Sequence, residues 1–255
     1  MLQEGEKLER LGGDLIVITD AEHTFGHDAI LLASFAAPRA GENACDFGTG
    51  CGIIPLLWCR SGCSFHIDAV EIQPDAALLA ERSVALCGLQ DSVTVICGDY
   101  LTCERLRAAS YDRVVCNPPY RRLGSGAESK SEAARIARSE QCAALGGMLS
   151  RAAKILKNGG CLSLCLRPER LAECLALMRS CGIEPKRLRM VQQRAQTRPW
   201  LVLVEGKRGA HTGLDVEPVL LLEQGGGISQ EMRRIYQGVR ADTAVAPELL
   251  NRNFQ

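Results

Sequence analysis

Four times between residues 43 and 120 a short apolar run ends in a polar or glycine-rich group. The runs are Asn43 to Phe47, His66 to Val70, Ser92 to Cys97 and Tyr111 to Cys116. Their endings are Gly48-Thr49-Gly50-Cys51-Gly52, then Glu71, then Gly98-Asp99-Tyr100, then Asn117-Pro118-Pro119-Tyr120. Helical stretches at Ile53 to Arg60 and Pro74 to Cys87 separate the first three runs, which predicts an α/β chain with a parallel sheet. Open parallel sheets bind ligands outside the carboxyl ends of their strands, so the four endings are expected to meet along one edge.

Each ending has its own chemistry. In Asp46-Phe47-Gly48-Thr49-Gly50-Cys51-Gly52, glycines at alternate positions let the backbone turn tightly and approach a ligand where no β-carbon fits. The spacing departs from the Gly-x-Gly-x-x-Gly dinucleotide fingerprint, so a nicotinamide cofactor is not the first expectation. Glu71 follows the loop by about twenty residues, where an acid can take both hydroxyls of a ribose. Asp99 can accept from an adenine amine or serve as an ordinary turn residue. Asn-Pro-Pro after a strand forces a rigid turn, because neither proline can donate to the ladder and both have a fixed φ. The Asn117 amide oxygen and the Pro118 carbonyl can then converge on a planar NH2 group whose face Tyr120 covers. Such a site works by orientation and fixed dipoles and needs no strong base. For a bare Asn-Pro-Pro, a plain strand-terminating turn is the competing reading.

Asp46 to Gly52, Glu71, Asp99 and Asn117 to Tyr120, in this order, resemble the Rossmann-like S-adenosylmethionine-dependent methyltransferases that methylate amino groups. The resemblance implies a seven-stranded, mostly parallel sheet with helices on both faces and an antiparallel last strand pair. It implies S-adenosylmethionine as cofactor, its methionine end along Gly48, Gly50 and Gly52, its ribose at Glu71 and its adenine near Asp99 and Tyr100, with the target amine held by Asn117, Pro118 and Tyr120. Downstream segments are similar to the YfiC-like tRNA (adenine-37 N6)-methyltransferases. They are Ile136 to Glu140, Arg167 to Leu171, Pro185 to Arg189, Leu203 to Lys207, Glu217 to Leu220 and Glu231 to Tyr236. That branch implies a flipped-out adenine in an RNA loop as the target, most specifically tRNA adenine 37.

Thirty basic and thirty acidic residues in 255 cancel, so any nucleic-acid footprint must be local. Two segments qualify. Arg121 to Glu140 is polar and reads either as a mobile substrate loop, with Arg121, Arg122 and Arg138 as candidate RNA contacts, or as a solvated loop with no contact role. From Lys186 to Arg208 seven basic residues meet one acid, Glu205, and Lys186, Arg187, Arg189, Arg194 and Arg198 form a basic rim on two antiparallel strands. A solvated strand face is the competing reading of that rim. Thirteen cysteines without paired CxxC spacing, and only four histidines, argue against disulfides or a metal and for small buried residues in a reducing cytoplasm. No signal peptide or membrane-length apolar stretch is visible, and no obligate protein partner is evident.

The expected organisation is an N-terminal extension over 1–40, the methyltransferase domain over 41–240 and a tail over 241–255. A second enzyme reading is a glutamine methyltransferase of release factors, which uses the same tetrapeptide. It is disfavoured by the forty residues before the glycine loop, too few for the helical domain such enzymes resemble. A non-catalytic RNA-binding protein of the same fold is the third reading.

Overall fold

The computed structural model describes residues 2–60, 62, 64–118 and 132–238, with the side chains of 132–142 excepted. Among them the chain forms, in order, β1 (Lys7–Gly12), β2 (Leu15–Thr19), α1 (His27–Phe35), β3 (Asn43–Phe47), α2 (Ile53–Cys59), β4 (His66–Glu71), α3 (Pro74–Leu86), β5 (Val93–Cys97) and β6 (Tyr111–Cys116). There follow α4 (Glu132–Ile155), β7 (Leu156–Leu166), α5 (Leu171–Ser180), β8 (Ile183–Gln192), β9 (Leu201–Arg208), β10 (Asp215–Val216), β11 (Leu220–Leu221), β12 (Glu223–Gln224), β13 (Gly227–Ile228) and α6 (Gln230–Gln237).

Seven long strands make the main sheet in the order β5-β4-β3-β6-β7-β9-β8. All pair in parallel except β9, which is antiparallel to β7 and to β8. The expected seven strands are extended at one edge, since the two-residue strands β10 and β11 pair with β8 and bring the sheet to nine.

Alternation along the strands sorts the core into two layers. Ala44, Ile67, Ala69, Val115, Cys165 and Leu203 face one side, under residues of α1, α2, α3 and α6. Their neighbours Cys45, Phe47, Val70, Val114, Leu164 and Val204 face the other, under α4 and α5. A sheet covered on both faces explains why its strands read as nearly continuous apolar runs. Burying one such side chain fully contributes about 1.5–3 kcal/mol.

Three expectations need correction. Helix α4 begins at Glu132, so residues 132–140 are helical where a loop was expected; the remainder of that loop lies outside the described residues. Strand β7 starts at Leu156, directly after the helix, and Asn158-Gly159-Gly160 forms an irregularity in its pairing with β6 between Tyr111 and Arg113. Strand β1 was not anticipated. It forms an antiparallel hairpin with β2, in which the Thr19 hydroxyl donates to buried Glu9 at 2.7 Å.

The layers are pinned laterally by charge. Arg113 on β6, 7% exposed, pairs with Glu42 at 3.2 Å and with Glu205 of β9 at 3.0 Å. Ser163 of β7 donates to the same Glu205 carboxylate at 2.9 Å. No helix among the described residues is long and apolar enough to cross a membrane.

Candidate active site

The register of the sheet sets the site. Phe47 of β3 stands opposite Cys116 of β6 and Val70 of β4, so Gly48, Asn117 and Glu71 leave the sheet side by side. Glu71 in turn is opposite Cys97, which brings Gly98 and Asp99 into the same row. Between β3 and β6 the strand order reverses direction, and that crevice is where open α/β sheets take ligands.

The glycine loop is tied to β4. Gly48 and Thr49 both donate their N–H to the Val70 carbonyl, at 2.9 and 3.0 Å. The Gly50 N–H donates to Glu71 Oε2 at 2.8 Å, and the Gln73 N–H donates to Oε1 at 2.9 Å. Glu71, 5% exposed, therefore clamps the loop and caps the next turn while each oxygen keeps a further lone pair. The three glycines differ. All have positive φ, but a β-carbon on Gly48 or Gly50 would meet open space, whereas one on Gly52 would lie 3.2 Å from Ala80 Cβ of α3. Gly52 thus allows helix α3 to close on the loop, and Gly48 and Gly50 leave room above it.

Asp46 is the charge anomaly of the site. It is 1% exposed, neither carboxylate oxygen has a well-aligned hydrogen-bond partner among the described residues, and burial pushes its pKa up to about 7, partly offset by the nearby but poorly aligned Thr49 hydroxyl. Thr49 Oγ1 is itself buried without a well-aligned partner among the described residues. A buried carboxylate left unsatisfied beside open space over a glycine loop is suited to an amine or ammonium brought by a ligand. Thr49 was not singled out in the sequence, although its place between the glycines was the available signal.

Asp99 Oδ1 accepts from the Leu101 N–H at 2.8 Å, the geometry of a turn aspartate. The Tyr100 ring stacks on Phe47 at 4.4 Å and 6° and is half-buried, which raises its pKa to about 12. Asn117 Oδ1 accepts from the thiol of Cys165, one strand across on β7, at 3.0 Å. Nothing in the sequence marked this one of thirteen cysteines. Pro118 is half-buried beside Asn117. Tyr120, Arg121 and Arg122 lie outside the described residues, as does the side chain of Arg138.

The basic rim is largely paired within the chain. Arg187 donates to the Phe35 carbonyl, lies 3.9 Å over the Phe35 ring and pairs with Glu217 at 2.9 Å. Arg189 pairs with Glu231 at 2.7 Å and donates to the Pro218 carbonyl. Lys186 donates to the His211 carbonyl at 3.3 Å, and Arg194 pairs with Glu223 at 2.5 Å. Arg198 is exposed. The acids that neutralise this stretch come from residues 217–231, beyond the window in which the charges were counted.

The sheet order and the row of polar residues define an α/β methyltransferase framework. The chain belongs to the methyltransferase small domain family, whose sequence model matches residues 24–180. It is 32% identical over 171 residues to a tRNA1(Val) (adenine(37)-N6)-methyltransferase of Tolumonas auensis, covering 64% of this chain and 70% of that one. A shorter match, 42% identical over 83 residues, is to a ribosomal protein uL3 glutamine methyltransferase of Bordetella pertussis, covering 32% of this chain and 27% of that one. Among solved structures, a predicted O-methyltransferase of Agrobacterium tumefaciens superposes with a TM-score of 0.67 at 20% identity, covering 82% and 95% of the two chains.

Proposed function

We propose that this protein transfers a methyl group from S-adenosylmethionine to the exocyclic N6 amine of an adenine in RNA, with adenine 37 of a tRNA anticodon loop as the target. The observation that carries the reading is the adjacency of Asn117 to the glycine loop. The pairing of Phe47 with Cys116 brings an amide acceptor beside Gly48, above which the backbone leaves room for a ligand. The long match to the Tolumonas tRNA enzyme supports adenine over glutamine, since the glutamine-methylating relative matches over only 83 residues.

When bound, the cofactor supplies a methyl group on a sulfonium that leaves as a neutral thioether. Asp46, whose two carboxylate oxygens lack well-aligned hydrogen-bond partners among the described residues, would receive the cofactor's ammonium. Glu71 keeps lone pairs for the ribose hydroxyls while it clamps Gly50. Asn117 Oδ1 and the Pro118 carbonyl accept from the two amine hydrogens, which favours the pyramidal nitrogen that can attack. Tyr120 covers the base. After transfer one amine proton passes to water, so no side chain need act as a base.

The test is transfer of tritium from labelled S-adenosylmethionine to unmodified tRNA, beside purified protein acceptors, with digestion of the RNA to nucleosides. Label is expected in N6-methyladenosine, and Asn117→Ala should cut kcat by about 10²- to 10³-fold with cofactor affinity unchanged within a few-fold. Label confined to a protein glutamine, or an Asn117→Ala enzyme of near-normal rate, overturns the reading.

A further inference from the structure

We propose that Arg167 and Trp200 form a stacking platform for a nucleotide flanking the target adenine. The inference rests on the RNA reading above and adds a contact to it. Leu166, the last residue of β7, pairs with Val202 of β9, so Arg167 and Trp200 leave the sheet together at its carboxyl edge. They stand near Asn117. Cys165, whose thiol holds Asn117 Oδ1, is two residues before Arg167, about 7 Å along a strand. Side chains two apart on a strand share a face, and Trp200 packs against the same core layer as Cys165.

The pair is built rather than incidental. The Trp200 backbone N–H is held by the Val191 carbonyl at 3.0 Å, which fixes the ring on the end of a strand. Arg167, exposed, donates from Nη1 to the Trp200 carbonyl at 2.9 Å and carries its guanidinium 6.0 Å from the ring centroid. The indole Nε1–H is buried without a partner among the described residues. Exposed Arg198, in the turn leading to Trp200, adds a cation at the same edge. A strand-anchored aromatic ring with a guanidinium over it and a neighbouring cation is the combination that grips unpaired nucleotides, by stacking on the base face and holding the phosphate.

The chain has two tryptophans, and the other, Trp58, is buried with its indole N–H on the Ala33 carbonyl at 2.9 Å. Emission changes on adding RNA therefore report Trp200. The experiment titrates the full chain with a 5′-labelled anticodon stem-loop, reading label anisotropy for binding and tryptophan emission for stacking. Saturating RNA is expected to quench emission in the wild type and not in Trp200→Phe, which keeps a stacking ring and should bind within about three-fold. Arg167→Ala should weaken RNA binding about five- to fifty-fold, with cofactor affinity and melting temperature unchanged. That loss should shrink to under two-fold when one nucleotide flanking the target adenine is made abasic. RNA that binds without quenching, or an Arg167→Ala protein that binds it within two-fold, overturns the platform and leaves the RNA reading intact. A wild-type chain that binds no RNA overturns both.

Discussion

Replacing Asp46 by Asn should stabilise the cofactor-free protein and weaken the holoenzyme. With its pKa raised from 3.8 to about 7, the native carboxyl holds a proton that the unfolded chain has released. Because the native state binds more protons in that window, stability from this group falls as pH rises from about 4 and levels off above about 7. At about 1.4 kcal/mol per pH unit, the full penalty is about 4 kcal/mol, as an upper bound because relaxation and water entry reduce it. An Asn at this site still buries an amide without a partner, at a cost of about 2 kcal/mol. The net gain at pH 8 is about 2 kcal/mol, or roughly 4–8 °C in Tm for a chain of this size. At pH 5 most of that penalty is gone, because the native carboxyl is then largely protonated, and the two proteins should melt close together. Saturating S-adenosylmethionine should reverse the order at pH 8, because the wild type gains the larger binding increment. Four melting curves, at the two pH values with and without cofactor, decide the matter. An Asp46→Asn protein that melts below the wild type at pH 8 without cofactor would refute the reasoning, since it would mean the carboxylate is satisfied within the chain.

Two further perturbations test the sheet that carries the site. Arg113→Ala removes the cation shared by Glu42 and Glu205, leaving Glu205 with Arg187 at 3.6 Å as its cation, and should cost about 3 kcal/mol by urea unfolding, part of which Arg113→Met with Glu205→Leu should restore. An unchanged midpoint for the single variant would remove Arg113 from the account. Gly206→Ala places a β-carbon 2.7 Å from Ile183 Cγ2 and 3.1 Å from the Glu184 carbonyl, and should lower stability by about 1–3 kcal/mol with faster amide exchange in β8 and β9. A Tm within 1 °C of the wild type would show that the strands separate without strain.

Much of the fold was legible because its signals are local. The runs ending at Phe47, Glu71, Cys97 and Cys116 lie where the sequence placed them, and the glycines of the loop have positive φ, which suits the tight turn expected there. What escaped depends on partners distant in sequence. Strand β1 alternates weakly, with Leu8 exposed and Glu9 buried, and is stable only because β2 and Thr19 supply its partners. Residues 132–140 looked like a loop because their composition is polar, although they continue into the helix whose later turns pack on the sheet. The basic count from 186 to 208 overstated the free charge, because Glu217, Glu223 and Glu231 return to it through the fold. The Cys165 contact with Asn117 joins positions 48 residues apart, and no spacing rule reaches that far.

The insertion of β9 between β7 and β8 has a consequence for how such a chain can change. Because β9 runs against its neighbours, the turn that joins β8 to β9 emerges at the same edge as the polar ends of β3 to β6. The sheet is thereby divided into a half that fixes Asp46 and Glu71 and a half whose hairpin carries Arg194, Arg198 and Trp200. A new sequence in that hairpin alters what is presented to the target without touching the glycine loop. On the proposed reading, selection or an engineer can therefore retune which substrate is accepted while the donor half of the reaction stays as it is.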